Sequence, residues 1–294
     1  MTSRRRLVRV PASTANLGSG YDVLAAALET YLEVEVEETG TFEILPADGL
    51  EVPLDRTNLV VRAFERLHSA DGLRFAISSE IPLSAGMGSS AAAIVAGLLA
   101  ADHLYELALE REEILEHAVE LEGHPDNVAA ALYGGVVLCA PQDGGGVAVT
   151  RMSMPKGVEA VLVTPDEPVA TAEARAALPE TVTLPDAVIN VAAAASLVLG
   201  LERGDLSLLR RGMADRLHQP HRRPLYPRSM ELVEDAVEMG AIGGCISGAG
   251  PSVLLWSWWE TTGALMDKVR KRTESWAEVR RISFEPRGAD VPEL

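Results

Sequence analysis

One segment of the chain alternates apolar and polar residues with the two-residue period of a half-buried β-strand. In residues 31–38, Leu32, Val34 and Val36 alternate with glutamates, which predicts a strand with one face in the core. Short apolar runs bounded by turn residues predict further strands. The predicted strands are residues 7–11, 31–38, 73–80, 136–139, 160–164 and 253–256.

Apolar residues spaced three and four positions apart predict helices between these strands. The predicted helices are residues 58–68, 89–104, 111–121, 126–132, 188–201, 205–217, 229–239 and 263–272. The stretch 13–20 is rich in turn residues and is expected to be a loop. Strands that alternate with helices favour an α/β or α+β protein of two lobes. We expect the lobes to comprise residues 1–154 and 155–294.

The charge balance limits the partners that this chain can have. Its 43 acidic and 26 basic residues give a net charge of -17. Nucleic acids and anionic membranes attract Lys and Arg, so neither is expected as a partner. No apolar run long enough to cross a bilayer lacks Gly, Pro or charge, and no apolar segment of a signal peptide follows the Arg-rich start. The two cysteines show no metal or disulfide spacing. We therefore expect a cytoplasmic protein.

A glycine-rich loop that leads into a helix is the strongest chemical signal. Glycines let the backbone approach a ligand closely, and the first turn of the helix offers unpaired N–H groups and a positive dipole end. Two serines add hydroxyls for a phosphate or Mg²⁺. The other reading is a tight turn followed by a helix that serine caps. The segment consists of Pro82, Leu83, Ser84, Ala85, Gly86, Met87, Gly88, Ser89, Ser90, Ala91 and Ala92.

Other nucleotide-binding loops fit this segment less well. A Walker loop needs a Lys after its last glycine, and the first Lys of the chain is Lys156. Residues 86–91 match the dinucleotide pattern G-x-G-x-x-A. However, Pro82 interrupts the preceding strand, and residues 104–112 look helical where a second strand should follow. A dinucleotide-dependent dehydrogenase therefore remains the alternative from a different class, and a non-catalytic nucleotide sensor is a third.

Three further segments hold polar groups at turns. Residues 11–22 form a glycine-rich stretch with Asn16 and Asp22, whose groups suit an ammonium or hydroxyl, although Asn and Asp are also ordinary turn residues. Residues 120–128 place Glu122, His124 and Asn127 at a break between two helices, where a carboxylate can hold Mg²⁺ or simply be solvated. Residues 247–252 form a second glycine-rich turn.

Together these motifs, in this order, resemble those of the GHMP small-molecule kinases over essentially the whole chain. Residues 10–22, residues 122–128 and the segment 171–179 are most similar to the homoserine kinases of that superfamily. The resemblance implies an α+β two-lobe fold, with a ribosomal-S5-like N-terminal α/β lobe and a ferredoxin-like C-terminal lobe. It implies ATP and Mg²⁺ as cofactors and L-homoserine as the substrate, in threonine biosynthesis. Family members are often dimers, so the resemblance also allows a homodimer.

The resemblance also assigns roles to residues. It implies that residues 82–92 hold the ATP phosphates, and that Glu122 with Ser89 or Ser90 holds Mg²⁺. The residues implied to face the amino acid or to take part in catalysis are Asn16, Asp22, Glu122, His124, Asn127, Arg175 and Arg222. Of these, Asn16, Glu122 and Asn127 are the catalytic candidates, and Arg175 and Arg222 would take the carboxylate.

Several alternatives stay open within this reading. A shortened loop before His124 leaves Glu120 as a second metal ligand candidate, and Arg223 neighbours Arg222. The alternative for the substrate is that of another GHMP kinase, which acts on threonine, mevalonate or a sugar.

Asn127 stands where most relatives carry a catalytic Asp. Because an amide is no base, and because Asp126 should point about 100° away on the helix, we expect no protein base.

Overall fold

A computed structural model describes residues 4–292 of the protein. These residues form ten strands and ten helices. The strands are β1 Arg5–Ala15, β2 Leu24–Glu38, β3 Glu43–Pro46, β4 Leu73–Ser79, β5 Val136–Pro141, β6 Val147–Met152, β7 Val158–Pro165, β8 Gly243–Ile246, β9 Val253–Trp258 and β10 Ala277–Ile282. The helices are α1 Leu59–Glu65, α2 Ser89–Tyr105, α3 Arg111–Glu122, α4 Asp126–Tyr133, α5 Thr171–Ala176, α6 Leu184–Arg203, α7 Leu206–Gly212, α8 Gln219–Arg222, α9 Pro227–Met239 and α10 Thr262–Thr273.

The first six strands form one sheet around the long strand β2. The C-terminal half of β2 pairs with β4, its N-terminal end pairs with β5, and β1 pairs along nearly its whole length. The alternating residues Leu32, Val34 and Val36 are buried as predicted, together with Val8 and Val10 of β1. The almost entirely apolar helix α2 packs against β1 and β2, and this packing determines where the glycine loop before α2 lies relative to the sheet.

The last four strands form a second, antiparallel sheet in the order β10-β7-β9-β8. In chain order its elements run strand, helices, two strands, helix and strand, with the first strand in the interior of the sheet. This is the topology of a ferredoxin-like lobe. Residues 283–290 return to the first sheet, where Glu29 N donates to Ser283 O at 3.0 Å. The division of the lobes at residue 155 stays a prediction.

The structure corrects several predicted elements. Residues 13–15 continue strand β1, because Ser13, Thr14 and Ala15 pair with residues 25–27 of β2. The predicted helix 205–217 ends at Gly212, because the residues after Ala214 form the turn that begins α8, where the carboxylate of Asp215 accepts the backbone N–H groups of Leu217, His218 and Gln219. The elements β3, β6, β8, β10, α5 and α8 were not predicted.

Helix α6 combines length with an apolar composition. By these two properties alone this 20-residue helix could cross a membrane, although it contains Pro185, Asp186 and Gly200. Part of it is buried, with Leu197 and Leu201 in the core, while Val188 and Val191 are exposed. The expectation that the protein has no membrane partner stays a prediction.

Candidate active site

A cleft where both sheets and the glycine loop meet gathers most of the predicted site residues. Of the predicted residues, its lining includes Asn16, Asp22, Ser84, Gly86, Met87, Gly88, Ser89, Ser90, Glu122, His124, Asn127, Arg175 and Arg222. The other loop residues, Pro82, Leu83, Ala85, Ala91 and Ala92, lie outside this lining. Residues 16–22, the junction of α3 and α4, and the start of α5 surround the cleft, so segments distant in sequence converge on it.

The start of helix α2 opens into this cleft without a side-chain cap. Gly88 occupies the N-cap position with a left-handed φ of 67°, and no side chain among residues 4–292 caps the first turn. The expected serine cap is therefore wrong, because the chain reaches the helix through a glycine conformation instead. Free N–H groups at a helix start favour an anion, which makes this end of α2 suited to phosphate.

Two glycines of the loop are also required by close packing within the protein. A Cβ at Gly88 would lie 2.1 Å from Ser13 Oγ, and one at Gly86 would lie 2.2 Å from Ser247 O. Contacts this short cannot persist, and both glycines have positive φ. A substitution such as Gly88→Val would therefore strain the fold itself and cannot isolate the contribution of the loop to ATP binding.

Ser90 and Glu122 form the part of the cleft that suits a metal ion. Ser90 Oγ donates a hydrogen bond to the Glu122 carboxylate, and both line the cleft. Glu120, the alternative carboxylate, is exposed and pairs with Arg66. One carboxylate and one hydroxyl fit Mg²⁺, which keeps waters and takes its other ligands from substrate phosphates. Within residues 4–292 no group of three His, Cys, Asp or Glu side chains offers a complete protein cage.

His124 lies between two carboxylates beside this position. Its Nδ1 is 2.9 Å from Asp126 Oδ1, and its Nε2 is 3.6 Å from Glu122 Oε1. Burial lowers the pKa of His124, but the hydrogen bond to Asp126 and the charges of both carboxylates outweigh it. The pKa therefore lies above its usual value, and the imidazole carries positive charge more readily than a free histidine.

Asp126 and Asn127 both line the cleft, although they are neighbours on a helix. Asp126 is the first residue of α4, and its carboxylate folds back to accept the Asn127 N–H at 2.7 Å. The expectation that helical rotation removes Asp126 from the site is therefore wrong, because a side chain at a helix start bends towards the free N–H groups. Asn127 Oδ1 accepts a hydrogen bond from Ser13 Oγ at 2.8 Å. The amide nitrogen of Asn127 is then the atom that can donate to another partner.

Both polar atoms of the Asn16 side-chain amide form hydrogen bonds with the backbone. Its Nδ2 donates to Gly248 O at 2.8 Å, and its Oδ1 accepts from Asp22 N at 3.0 Å. The residue is buried and has a φ of 72°. It thus holds the turn 16–22 against the loop at residue 248 from the second lobe, and its predicted contact with a substrate stays a prediction.

Asp22 and Arg175 form an ion pair inside the cleft. Arg175 Nη2 lies 2.9 Å from Asp22 Oδ1, and Nη1 lies 3.1 Å from Oδ2, so the pair is bidentate. The same Nη1 donates to the Tyr21 hydroxyl at 3.0 Å. Both side chains are about one third exposed (37% and 33%). This geometry connects α5 to the turn 16–22 and places opposite charges next to each other.

Arg222 differs from Arg175 because it is buried and has no counter-ion in the described part of the chain. Only 1% of it is exposed. Its Nε donates to Ala174 O at 2.9 Å, and its Nη1 donates to His218 Nδ1 and Gly248 O, each at 3.2 Å. Within the described residues it forms no ion pair with a carboxylate, whereas its neighbour Arg223 is exposed and pairs with Glu234. A buried cation of this kind favours binding of an anion.

Comparisons with known proteins agree with this geometry. The family model of the GHMP kinases N terminal domain matches residues 58–135, and that of the GHMP kinases C terminal matches residues 197–271. A homoserine kinase of Thermus thermophilus is 43% identical over 250 residues, which are 83% of this chain and 84% of that protein. The chain belongs to the GHMP kinase family. A homoserine kinase of Solibacter usitatus is 36% identical over 293 residues, which are 97% of this chain and 96% of that protein.

Solved structures place this GHMP kinase in the same fold. The crystal structure of a homoserine kinase from Cytophaga hutchinsonii matches with a TM-score of 0.88 and 30% identity, over 99% of this chain and 98% of that one. A mevalonate kinase of L. major matches with a TM-score of 0.71 at 18% identity, over 98% and 97% of the two chains, which shows the shared fold alone. The predicted two-lobe α+β fold is confirmed, and the dehydrogenase alternative is superseded.

Sequence reasoning missed several residues that line the cleft of this GHMP kinase. These are Ala15, Tyr21, Thr171, Gly248 and Ala249. Gly248 belongs to the glycine-rich turn 247–252, which has no charged side chain to suggest a role. Its position became clear only through the hydrogen bonds that Gly248 O accepts from Asn16 and Arg222. Tyr21 precedes the predicted Asp22, and Thr171 begins the segment 171–179 that carries the resemblance, and these positions were the available signal.

Proposed function

We propose that this GHMP kinase transfers the γ-phosphate of ATP to the side-chain hydroxyl of L-homoserine, forming O-phospho-L-homoserine for threonine synthesis. The observation that carries the proposal is Arg222, a buried cation at the wall of the cleft with no carboxylate partner among residues 4–292. A substrate carboxylate supplies the missing anion. Mevalonate also carries a carboxylate, but it has no ammonium group, and the sugars considered have neither charge.

The ion pair of Asp22 with Arg175 suits a zwitterion. An amino acid brings one ammonium and one carboxylate, so it can match both members of the pair while leaving the total charge of the cleft unchanged. Asp22 then accepts from the ammonium, and Arg175 shares the carboxylate with Arg222. Arginine binds a carboxylate with parallel hydrogen bonds, which fixes orientation as well as charge.

The loop 82–92 and the Ser90–Glu122 pair fit ATP and Mg²⁺. The uncapped N–H groups at the start of α2 suit phosphate oxygens, and Ser90 with Glu122 would hold the metal ion. When bound, ATP supplies the phosphoryl group and Mg²⁺ neutralises its developing charge. The protein's own task is to hold the hydroxyl in line and to exclude water, because positioning and electrostatics dominate phosphoryl transfer.

Asn127 orients the attacking hydroxyl without removing its proton. Its Oδ1 is engaged by Ser13, so its Nδ2 donates towards the cleft. A loose transition state needs little deprotonation beforehand. The hydroxyl proton therefore leaves late, to an oxygen of the transferring phosphate, and no side chain of the protein is needed as a base.

A coupled ADP-release assay with homoserine, threonine, mevalonate and galactose tests the proposal. We expect ADP release that depends on homoserine, with the other three compounds at least about tenfold lower in kcat/KM. Preference for any other member of the panel would overturn the substrate assignment while leaving the kinase reaction in place. The homodimer and the cytoplasmic location stay predictions, which size-exclusion chromatography with light scattering and cell fractionation would test.

A further inference from the structure

His218 lies behind the cleft wall, fully buried and outside the lining itself. Its Nε2 is 2.8 Å from Gly18 O and 3.4 Å from Asp215 Oδ2. Its Nδ1 is 3.2 Å from Arg222 Nη1. One side of the imidazole thus faces only acceptors, and the other faces a guanidinium, which can only donate.

These contacts allow a single protonation state of the ring. Nε2 must carry hydrogen, because a carbonyl and a carboxylate face it. Nδ1 must not carry hydrogen, because Arg222 has only N–H groups to offer. Burial lowers the pKa of His218, and the charge of Arg222 lowers it further although Asp215 opposes this. The ring is therefore the neutral Nε2–H tautomer, which accepts from Arg222.

The contacts of Arg222 decide which of its nitrogens can meet a ligand. Nε and Nη1 donate to Ala174 O, His218 Nδ1 and Gly248 O, which accounts for three of the five N–H groups. The nearby Tyr226 hydroxyl donates to Ala249 O. The Tyr226 hydroxyl can also accept from the Arg222 guanidinium. Nη2 makes none of the three bonds above, so it is the nitrogen that can present an N–H group to the cleft. Two carbonyls alone would not fix the plane of the guanidinium as three acceptors do.

We infer that His218 is a positioning residue, whose unprotonated Nδ1 fixes the Arg222 guanidinium so that Nη2 meets the carboxylate of the substrate. The Tyr21 ring supports this arrangement, since it lies 5.3 Å from the His218 ring and 5.6 Å from the Arg222 guanidinium. The inference rests on the proposed function, because it takes the ligand of Arg222 to be the carboxylate of homoserine.

Two amide substitutions at His218 test the contacts of its two ring nitrogens separately. In His218→Asn the side-chain oxygen can occupy the position of Nδ1 and accept from Arg222, whereas the bond to Gly18 is lost. In His218→Gln the terminal amide can reach the position of Nε2 and keep the Gly18 bond, whereas the acceptor for Arg222 is lost. His221→Asn, at an exposed histidine three residues away, is the matched control.

The measured quantities are KM for homoserine, KM for ATP and kcat. We expect His218→Gln to raise the KM for homoserine about tenfold, as loss of a hydrogen bond to a charged group does, with the KM for ATP unchanged. We expect His218→Asn to stay within about threefold of wild type, and His221→Asn to have no effect. Equal effects of the two His218 variants on an active enzyme would overturn the inference. A wild-type enzyme inactive with homoserine would overturn the proposed function instead, and this inference with it.

A measurement on the unmodified protein covers the case in which the variants fold poorly. Long-range ¹H–¹⁵N NMR of the histidine rings distinguishes the tautomers directly. We expect His218 to show an unprotonated Nδ1 from pH 6 to pH 8, and the resonance of that nitrogen to shift when homoserine binds. A protonated Nδ1, or a resonance that homoserine leaves in place, would overturn the inference.

Discussion

Ser13 and Asn127 are 114 positions apart in the chain, and yet Ser13 Oγ donates a 2.8 Å hydrogen bond to Asn127 Oδ1 directly below the glycine loop. The bond joins strand β1 to the start of α4 and determines how the Asn127 amide is turned. With its oxygen engaged, Asn127 offers a donor to the cleft, which suits a residue that holds a hydroxyl and cannot take its proton.

The absence of a protein base predicts a mild effect of Asp126→Asn. Asp126 is buried in the cleft, where its carboxylate accepts from Asn127 N and contacts His124. Asparagine keeps an acceptor oxygen for Asn127 N, so kcat should fall by less than about tenfold. The kcat of the wild type should show no titration of an essential base on its acidic limb. A fall of about a thousandfold, the scale of general-base catalysis, with folding and substrate binding intact, would identify Asp126 as the base.

The carboxylate assignment predicts that Arg222→Gln raises the KM for homoserine. Losing a charge-assisted hydrogen bond costs about 1.5 to 3 kcal/mol, which corresponds to at least about tenfold in KM, while the KM for ATP should change little. Arg223→Gln is the matched control, since Arg223 is exposed and paired with Glu234. Steady-state kinetics of both variants decide the point. Similar values for the two variants would mean that Arg222 does not bind the substrate.

Arg175→Gln should also raise the KM for homoserine at least about tenfold, for a second reason. It removes one contact to the carboxylate, and it leaves Asp22 without the cation that it contacts at 2.9 Å. The double variant Asp22→Asn with Arg175→Gln removes both charges and tests the pairing. If the substrate uses both groups, the double variant should bind homoserine no better than Arg175→Gln in an isothermal titration. Recovery of wild-type affinity would show that Asp22 and Arg175 serve only each other.

The metal assignment predicts that Glu122→Gln requires more Mg²⁺ for activity. Removing the one carboxylate that Ser90 contacts weakens a site of few protein ligands, so the Mg²⁺ concentration for half-maximal rate should rise at least about tenfold. Glu120→Gln is the control, because Glu120 is exposed and pairs with Arg66. Titrations of rate against Mg²⁺ measure both. A larger shift in Glu120→Gln than in Glu122→Gln would reverse the assignment.

Both cysteines should be unreactive in the folded protein. Burial raises the pKa of Cys139 and of Cys245 to about 12, so neither forms the thiolate at pH 8. A thiol reagent at pH 8 should label no cysteine in the native protein and both after unfolding. Because thiols ionise near pH 8.5 in an unfolded chain, this raised pKa also makes stability fall as the pH rises above about 9. Rapid labelling of the native protein would contradict the burial of these residues.

Part of the fold could be predicted because several elements carry clear local signals, although the pattern revealed only residues 31–38 of the longest strand, β2. Helix α2 begins at Ser89 as predicted, and the strand at residues 31–38 shows its alternation plainly. Elements with mixed patterns were missed. Strand β6 is largely half-exposed, and helix α5 spans only six residues. Neither element repeats a pattern of apolar and polar residues often enough to be recognised in the sequence. The loop expected at residues 13–15 is a strand because pairing with β2 outweighs local turn preference.

The sequence indicated which segments form the site, but it did not indicate the contacts between their side chains. Motif resemblance grouped Glu122, Arg175 and Arg222 with the glycine loop, and the cleft contains all of them. The pairing of Arg175 with Asp22 could not be read from the sequence, because 153 residues separate them. Arg222 donates to backbone carbonyls of helix α5 and of the turn 247–252, and backbone carbonyls carry no signal in the sequence.

The central claim, phosphorylation of the homoserine hydroxyl, is tested most directly by identifying the product. The enzyme would be incubated with ATP, Mg²⁺ and L-homoserine, and the mixture analysed by ³¹P NMR and mass spectrometry. We predict one new phosphate monoester on the side-chain oxygen of homoserine, formed in equal amount with ADP. ADP formed without a phosphorylated amino acid, or no ADP at all in folded protein, would contradict the account.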